Sequence, residues 1–168
     1  MRDASMIRKL KLGRQETFAK FFDSYKNLVF YECNNILHDR MDAEDVAQEV
    51  FVEFFNHVDE LKEDTNLKLY IASLAKKRAI DLYRKKAKSP LYYTDNIESY
   101  GDPYTKVDVI LTLDHLLEDN EARIVSLKVL YKFSFKEIAL DMGLTLGQVQ
   151  GTYYQAIKKL KKHYKKGE

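Results

Sequence analysis

Residues 134–162 read SFKEIALDMGLTLGQVQGTYYQAIKKLKK, and this stretch decides the fold of the second half of the chain. Ser134 is followed three residues later by Glu137, the pairing of a capping box that opens a helix. The spacing predicts a helix over 135–142, stopped by Gly143, which supplies the positive φ of a turn. Thr145 then caps a last helix that runs to about His163. Small Ala139 lets the two helices approach closely, and Ile138, Leu144 and Val149 fill the space between them. A short helix, a tight turn and a second helix make a helix-turn-helix unit. In such a unit the second helix enters the major groove of duplex DNA and offers its N-terminal side chains to base edges. Thr145, Gln148, Gln150, Thr152 and Tyr153 are the candidate readers: glutamine pairs with adenine through two bonds, and threonine touches a thymine methyl. Lys158, Lys159, Lys161 and Lys162 follow and can neutralise phosphates. The plainer alternative is a helical hairpin that binds nothing.

Moving towards the N-terminus, residues 121–131 and 107–117 each have a helical pattern. Both prolines of the chain, Pro90 and Pro103, bracket LYYTDNIESYG, which has turn formers and no helical period. A residue before proline is pushed out of helical geometry. Residues 88–104 therefore read as a linker between two helical domains, 1–87 and 105–168. Its four tyrosines, Tyr92, Tyr93, Tyr100 and Tyr104, suit a linker that lies along a surface.

The first domain holds three helix candidates, over 15–37, 42–58 and 65–87. In the first, Phe18, Phe21, Phe22, Tyr25, Leu28, Val29 and Ile36 recur at spacings of three and four, the mark of one buried stripe. In the second, Asp42 is the expected N-cap, and Val46, Val50, Phe54 and Val58 form the inward row. In the third, Leu67, Tyr70, Ile71, Leu74, Ala75, Ile80 and Tyr83 are the apolar set. Three such helices bury one another's stripes in a bundle.

Charge is distributed unevenly over this frame. From Asp39 to Asp64 there are ten acids against two bases, whereas from Ser73 to Lys88 there are seven bases against Asp81. From Ala156 to Glu168 six lysines face one acid. One acidic surface and two basic ones suggest a protein partner and a polyanion, against the blander reading of solvated helix faces. On the acidic helix Asp45, Gln48, Glu49 and Val52 are spaced to share one outward face. On the basic helix Lys76, Lys77, Arg78, Arg84 and Lys85 oppose the apolar side and can track a phosphate backbone. Tyr70 and Tyr83 flank them, either as stacking surfaces for unpaired bases or, for Tyr70, as part of the core. Asp81, amid these bases, is expected to be an ion-pair partner.

Composition sets the outer bounds. Of the 168 residues, 45% are hydrophobic, and two prolines and six glycines favour long helices over a turn-rich β fold. The single cysteine, Cys33, cannot form an internal disulfide, so a reducing, cytoplasmic setting is expected. No apolar run reaches the roughly 20 residues that span a bilayer. The N-terminal MRDASMIRKLKLGRQ lacks the apolar core of a signal peptide. There is no glycine-rich phosphate loop and no metal-ligand cluster, and His38, His57, His115 and His163 are scattered. No enzyme, cofactor or metal site is therefore expected.

Three motifs in this order, DAEDVAQEVFVEFF, LYIASLAKKRAIDLYRKKAK and the helix-turn-helix stretch, resemble the sigma-70 family of bacterial sigma factors, in its small extracytoplasmic-function (ECF) group. The resemblance covers about residues 16–162. It implies an all-α fold of two small helical domains, a region-2 three-helix bundle and a region-4 helix-turn-helix domain, joined by a flexible linker. It further implies a factor that directs core RNA polymerase to promoters and helps to melt them. Asp45, Gln48, Glu49 and Val52 would then contact the coiled coil of the largest polymerase subunit, with the polymerase flap as a further contact of the factor. The loop 60–66, with Asp64, Thr65 and Asn66, would capture a base flipped from the minus-ten non-template strand. Tyr70, Lys76, Lys77, Arg78, Arg84 and Lys85 would hold that DNA. The linker would thread towards the RNA exit path. Thr145, Gln148, Gln150, Thr152, Tyr153 and Lys158 would read the minus-thirty-five element. An anti-sigma factor is a further partner known in the family. The chain departs from the family in having no tryptophan near Tyr70, Lys77 where asparagine is common, and the arginine-poor Gln150-Gly151-Thr152 in the recognition helix. A stand-alone helix-turn-helix transcription regulator is the rival reading; it gives no work to the acidic helix.

Overall fold

The computed structural model describes residues 3–88 and 113–167. The chain divides into two units, residues 1–98 and 99–168. Among the described residues every regular element is helical. The predicted linker over 88–104, apart from Lys88, lies outside the described residues, and so does the start of the helix expected over 107–117.

In the first unit α1 spans Asp3–Lys11, α2 Gln15–Leu37, α3 Arg40–Asn56 and α4 Leu67–Ala87, with a 3-10 turn at Val58–Glu60. Helix α2 has the bounds its spacing predicts, and Phe21, Leu28 and Val29 are buried along its stripe. Phe22 departs from the expectation. It is 42% exposed at the edge of the stripe, its ring 4.8 Å from Phe51 and 6.0 Å from Lys26 Nζ. At the other end of α2, His38 adopts the left-handed conformation, and its N–H donates to the Asn34 carbonyl.

The cap of α3 is Asp39, whose Oδ1 accepts the Asp42 N–H at 2.9 Å. Asp42, the expected cap, is therefore the residue being capped, and the helix begins one position after Asp39. It ends at Asn56, so Val58 belongs to the 3-10 turn, yet it is buried with Val46, Val50 and Phe54 as its spacing requires. Phe54 stacks on Phe21 at 4.2 Å between ring centroids, while Phe18 meets Phe55 edge-on at 4.8 Å. Such pairs add about 1 kcal/mol each to the burial of their surfaces, so this seam fixes how α3 lies on α2.

Helix α4 begins at Leu67, two residues later than expected, because Asn66 caps it by accepting the Leu69 N–H at 3.1 Å. Its buried row, Leu67, Ile71, Ala72, Ala75 and Ala79, is rich in alanine. Small side chains permit close approach, and α4 packs on both α2 and α3. Tyr83, counted in the apolar set, is exposed. Helix α1, which the sequence pattern did not reveal, anchors itself through Ile7 and Leu10, both fully buried. Cys33 lies in this core, and burial, aided by the charge of Glu32, pushes its thiol up to about 12. A thiol so protonated is a poor nucleophile.

In the second unit residues 113–116 are helical, α5 spans Asp119–Val125 and runs on into a π-helical turn at Ser126–Leu130, α6 spans Phe135–Met142 and α7 Leu146–Lys166. The capping box read at Ser134 is present: Ser134 Oγ accepts the Glu137 N–H, and Glu137 Oε2 accepts the Ser134 N–H. Gly143 ends α6 at φ 65, a conformation that costs glycine nothing. Ile138, Ala139 and Val149 are buried where α6 meets α7. Leu113, Leu117, Ala122, Val125 and Ala156 form the adjoining core, with Tyr153, Ile157 and Leu160 of α7 packed against it. Arg123 bonds Asp141 at 2.9 Å, tying α5 to α6 with a carboxylate that is 0% exposed.

Candidate functional site

Three surfaces carry the residues singled out from the sequence, two on the first unit and one on the second. The inward row of α3 fixes its outward face by default, since residues three and four apart share a side of a helix. Asp45, Gln48 and Glu49 are exposed, and Val52 is 60% exposed. All four line one groove of about 630 Å³, together with Glu53, Asn56, His57 and Arg78. The sequence reading had missed Glu53, Asn56 and His57. They continue the same face by one further turn, so the helical period that selected the first four selects them too.

Arg78 is the one groove residue from α4, and its place differs from the expectation of a side chain held out for phosphate. Its Nε donates to Glu53 Oε2 at 2.5 Å and its Nη2 to Glu53 Oε1 at 2.6 Å. Its Nη1 also reaches Asp81 at 3.3 Å, the ion pair anticipated for that aspartate. Two parallel charged hydrogen bonds from a planar guanidinium are the strong form of this contact. They hold the Glu53 carboxyl below its ordinary value, chiefly through the bond from Arg78 and against the effect of burial. The same bond raises Arg78. Among the described residues Asp45 and Glu49 have no such two-bond guanidinium partner, and they line the groove beside the apolar Val52. Such a surface suits a basic partner helix with an apolar contact at its centre.

The second surface is the outer side of α4. Lys77, Arg84 and Lys85 are exposed and Lys76 half-buried. Lys86 binds Asp42 across to α3. Tyr70 is half-buried with its ring edge-on to Phe54 at 6.0 Å, so part of its ring serves the core. At the start of α4, Asp64 is exposed and Thr65 half-buried. The Asn66 side chain, singled out as a base contact, has its carbonyl engaged as the cap. The loop before α4 is pinned from below: Leu61 is buried, Thr65 N–H donates to Lys62 O at 3.1 Å, and Leu67 N–H donates to Asp3 Oδ2 at 3.0 Å.

The third surface is the exposed side of α7, where several of the expected readers also have a part in the fold. Tyr153 is half-buried, packed alongside Ile157 and Leu160 against the core of the unit and edge-on to Phe135 at 5.2 Å. Thr145 and Gln148 form a reciprocal capping box: Thr145 Oγ1 accepts the Gln148 N–H at 3.2 Å, and Gln148 Oε1 accepts the Thr145 N–H at 2.9 Å. Gln150 and Thr152 are half-buried on the flanks. Thr145 and Gln148 are exposed, and the outward face continues over Gly147, Gly151, Tyr154, Gln155, Lys158 and Lys162, with Tyr154 62% exposed. A Cβ added to Gly147 or Gly151 would meet nothing within 4 Å. Counting from the buried Val149 and Ala156 in steps of 100° would have picked Tyr154 and Gln155 over Tyr153. Lys158 lines a shallow groove of about 370 Å³ with Gln155, Lys159 and Lys162. Lys159 is turned away from this role, since its Nζ bonds Glu121 at 2.8 Å.

Among the described residues no group of three or more His, Cys, Asp or Glu side chains is placed to hold a metal ion. No described helix is long and apolar enough to cross a membrane.

Residues 21–89 match the family model for sigma-70 region 2. Over 93% of its length the chain is 25% identical to the ECF RNA polymerase sigma factor SigW of Bacillus subtilis (strain 168), again covering 93% of that protein. It is also 22% identical to the ECF RNA polymerase sigma factor SigX of the same organism, over 89% of this chain and 84% of the other. Two solved structures share the fold. CnrH in complex with the cytosolic domain of CnrY superposes with a TM-score of 0.64 at 17% identity, covering all of both chains. The sigma factor RpoE in complex with the anti-sigma factor NepR from Bartonella quintana gives 0.62 at 16% identity, over 88% of this chain and 96% of that one.

Proposed function

We infer that this chain is a sigma factor of the ECF group of the sigma-70 family, directing core RNA polymerase to promoters for transcription initiation. The observation that carries the reading is the groove of α3. Asp45, Gln48, Glu49 and Val52 come together in one place, on the same bundle as the basic face of α4 and within the residues that match sigma-70 region 2. A stand-alone helix-turn-helix regulator would leave that groove without a partner. The family to which the chain is similar is one of regulators rather than catalysts.

In the mechanism proposed here the groove docks on a basic, partly apolar helix of the largest polymerase subunit, the coiled coil. Asp45 and Glu49 supply charge, and Val52 is buried on binding. The loop 61–66 takes a base from the minus-ten non-template strand, and Lys76, Lys77, Arg84 and Lys85 hold the phosphates beside it. The second unit contacts the polymerase flap and places α7 in the minus-thirty-five duplex, where Tyr154, Gln155, Lys158 and Lys162 face the groove. Two modest contacts joined in one chain give high overall affinity through effective concentration. An anti-sigma protein, by analogy with the RpoE complex, is a further partner, and the site of action is the cytoplasm.

Pull-down of core polymerase followed by run-off transcription from genomic fragments tests this. The expected result is polymerase binding and promoter-specific transcripts. Asp45→Arg sets like charge against a basic partner and should weaken polymerase binding about thirtyfold, or about 2 kcal/mol, with DNA binding by the isolated chain retained. Unchanged polymerase affinity in that variant would overturn the assignment of the groove.

A further inference from the structure

The contact between the extreme N-terminus and the start of α4 joins residues 64 positions apart and has no part in the function described so far. Helix α1 is short, yet Ile7 and Leu10 are fully buried, and it packs on α2 and on the Val58–Glu60 turn. Its first residue, Asp3, reaches the end of the loop 61–66 and accepts the Leu67 N–H at 3.0 Å. Arg8 lies 4.0 Å from Glu63, on the exposed part of the same loop.

The first four N–H groups of a helix lack partners within it. In α4 two are supplied by side chains from different parts of the chain: Asn66 serves Leu69, and Asp3 serves Leu67. The Asp3 carboxylate also sits at the positive end of the α4 dipole. The loop is thus held at its base by Leu61 and Leu67, both buried, and closed on one side by a charged acceptor from α1. Lys62, Glu63 and Asp64 are the exposed residues above that base.

We propose that Asp3 is a positioning residue for promoter reading: from α1 it sets the conformation of the loop 61–66, and so the base the loop accepts, without touching DNA. The proposal rests on the sigma-factor reading of that loop. It separates two properties that share one bundle. The α3 groove does not involve α1, so polymerase affinity should be blind to Asp3, while base discrimination should not be.

The experiment uses holoenzyme assembled from the full chain and core polymerase. The probes are single-stranded non-template oligonucleotides carrying each of the four bases at every minus-ten position, with hydrogen exchange of the Leu67 amide followed in the free chain. Asp3→Ala should accelerate Leu67 exchange and reduce discrimination between the preferred base and the others about fivefold, the factor carried by one ordinary hydrogen bond. Polymerase affinity should stay at the wild-type value. Asp3→Asn retains an acceptor oxygen and should restore most of the discrimination. The proposal is overturned if Leu67 exchange accelerates while discrimination is unchanged, or if Asp3→Ala lowers affinity for all four bases alike. Wild-type holoenzyme that shows no base preference would overturn the reading of the loop itself, a failure distinct from that of Asp3.

Discussion

Helices α3 and α7 are of similar character on paper, each polar on one side and set against a small core, but they use their polar residues differently. Helix α3 takes its cap from Asp39, outside the helix, and leaves Asp45, Gln48 and Glu49 free to face outward. Helix α7 engages Thr145 and Gln148 in its capping box and packs a half-buried Tyr153 against the core, so three of the side chains marked as DNA readers also serve the fold. Both helices are capped by a residue just outside them, Asp39 and Thr145, but only in α7 does a side chain of the first turn, Gln148, bond back to the cap. That return bond engages one polar side chain that α3 leaves to its outward face.

Four substitutions sharpen this contrast. The largest effect is expected from Asp141→Ala, which removes the carboxylate that bonds Arg123, itself 13% exposed, between α5 and α6. Breaking such a pair costs about 3 kcal/mol, and the loss should fall on the second unit alone. Calorimetry that shows both units losing stability together would break the picture of two separate cores. Next come the adjacent tyrosines of α7. Tyr153→Ala should lower the melting temperature of the second unit, because it removes packing from the core. Tyr154→Ala should leave melting unchanged and weaken binding to a minus-thirty-five duplex about tenfold, within the range for one lost contact to a base edge. The reverse pattern would restore Tyr153 as the reader. The smallest effect is that of Glu53. Its carboxyl is held low by the Arg78 bond, so its contribution to stability is present above its ordinary value and fades as pH falls through the lowered one. Glu53→Gln should therefore be less stable than the parent at neutral pH, with the gap closing in strong acid below about pH 4. A gap that persists there would assign the loss to packing.

Most of the helical frame was legible because its signals are local. The bounds of α2, the Ser134 box and Gly143 follow from apolar spacing and from residues with special backbone preferences. Three features were not legible, each for a physical reason. Helix α1 has Ile7 and Leu10 as its only fully buried apolar side chains, too few to establish a period. Asp39 and Asp42 are equally good caps by composition, and only the extended backbone at Asp39 decides between them. The partner of Arg78 lies 25 residues away on another helix, and no local pattern announces a pairing across a bundle. The acidic face of the site was therefore readable as a set, while the reduction of its charge by Arg78 was not.

Gly147 and Gly151 leave the outward face of α7 bare at two positions one helical turn apart, with open space where side chains would stand. In terms of information, these are unwritten letters. A side chain gained at either would not disturb a single internal contact, and at Gly151 it would add about 1 kcal/mol of helix stability as well. If this face reads DNA as proposed, changes at these two positions would alter which DNA is preferred without passing through an unfolded intermediate. On the proposed sigma-factor reading, the second unit would be open to acquiring new promoters by single substitutions, whereas α3, whose outward face is already filled, would be committed to one partner.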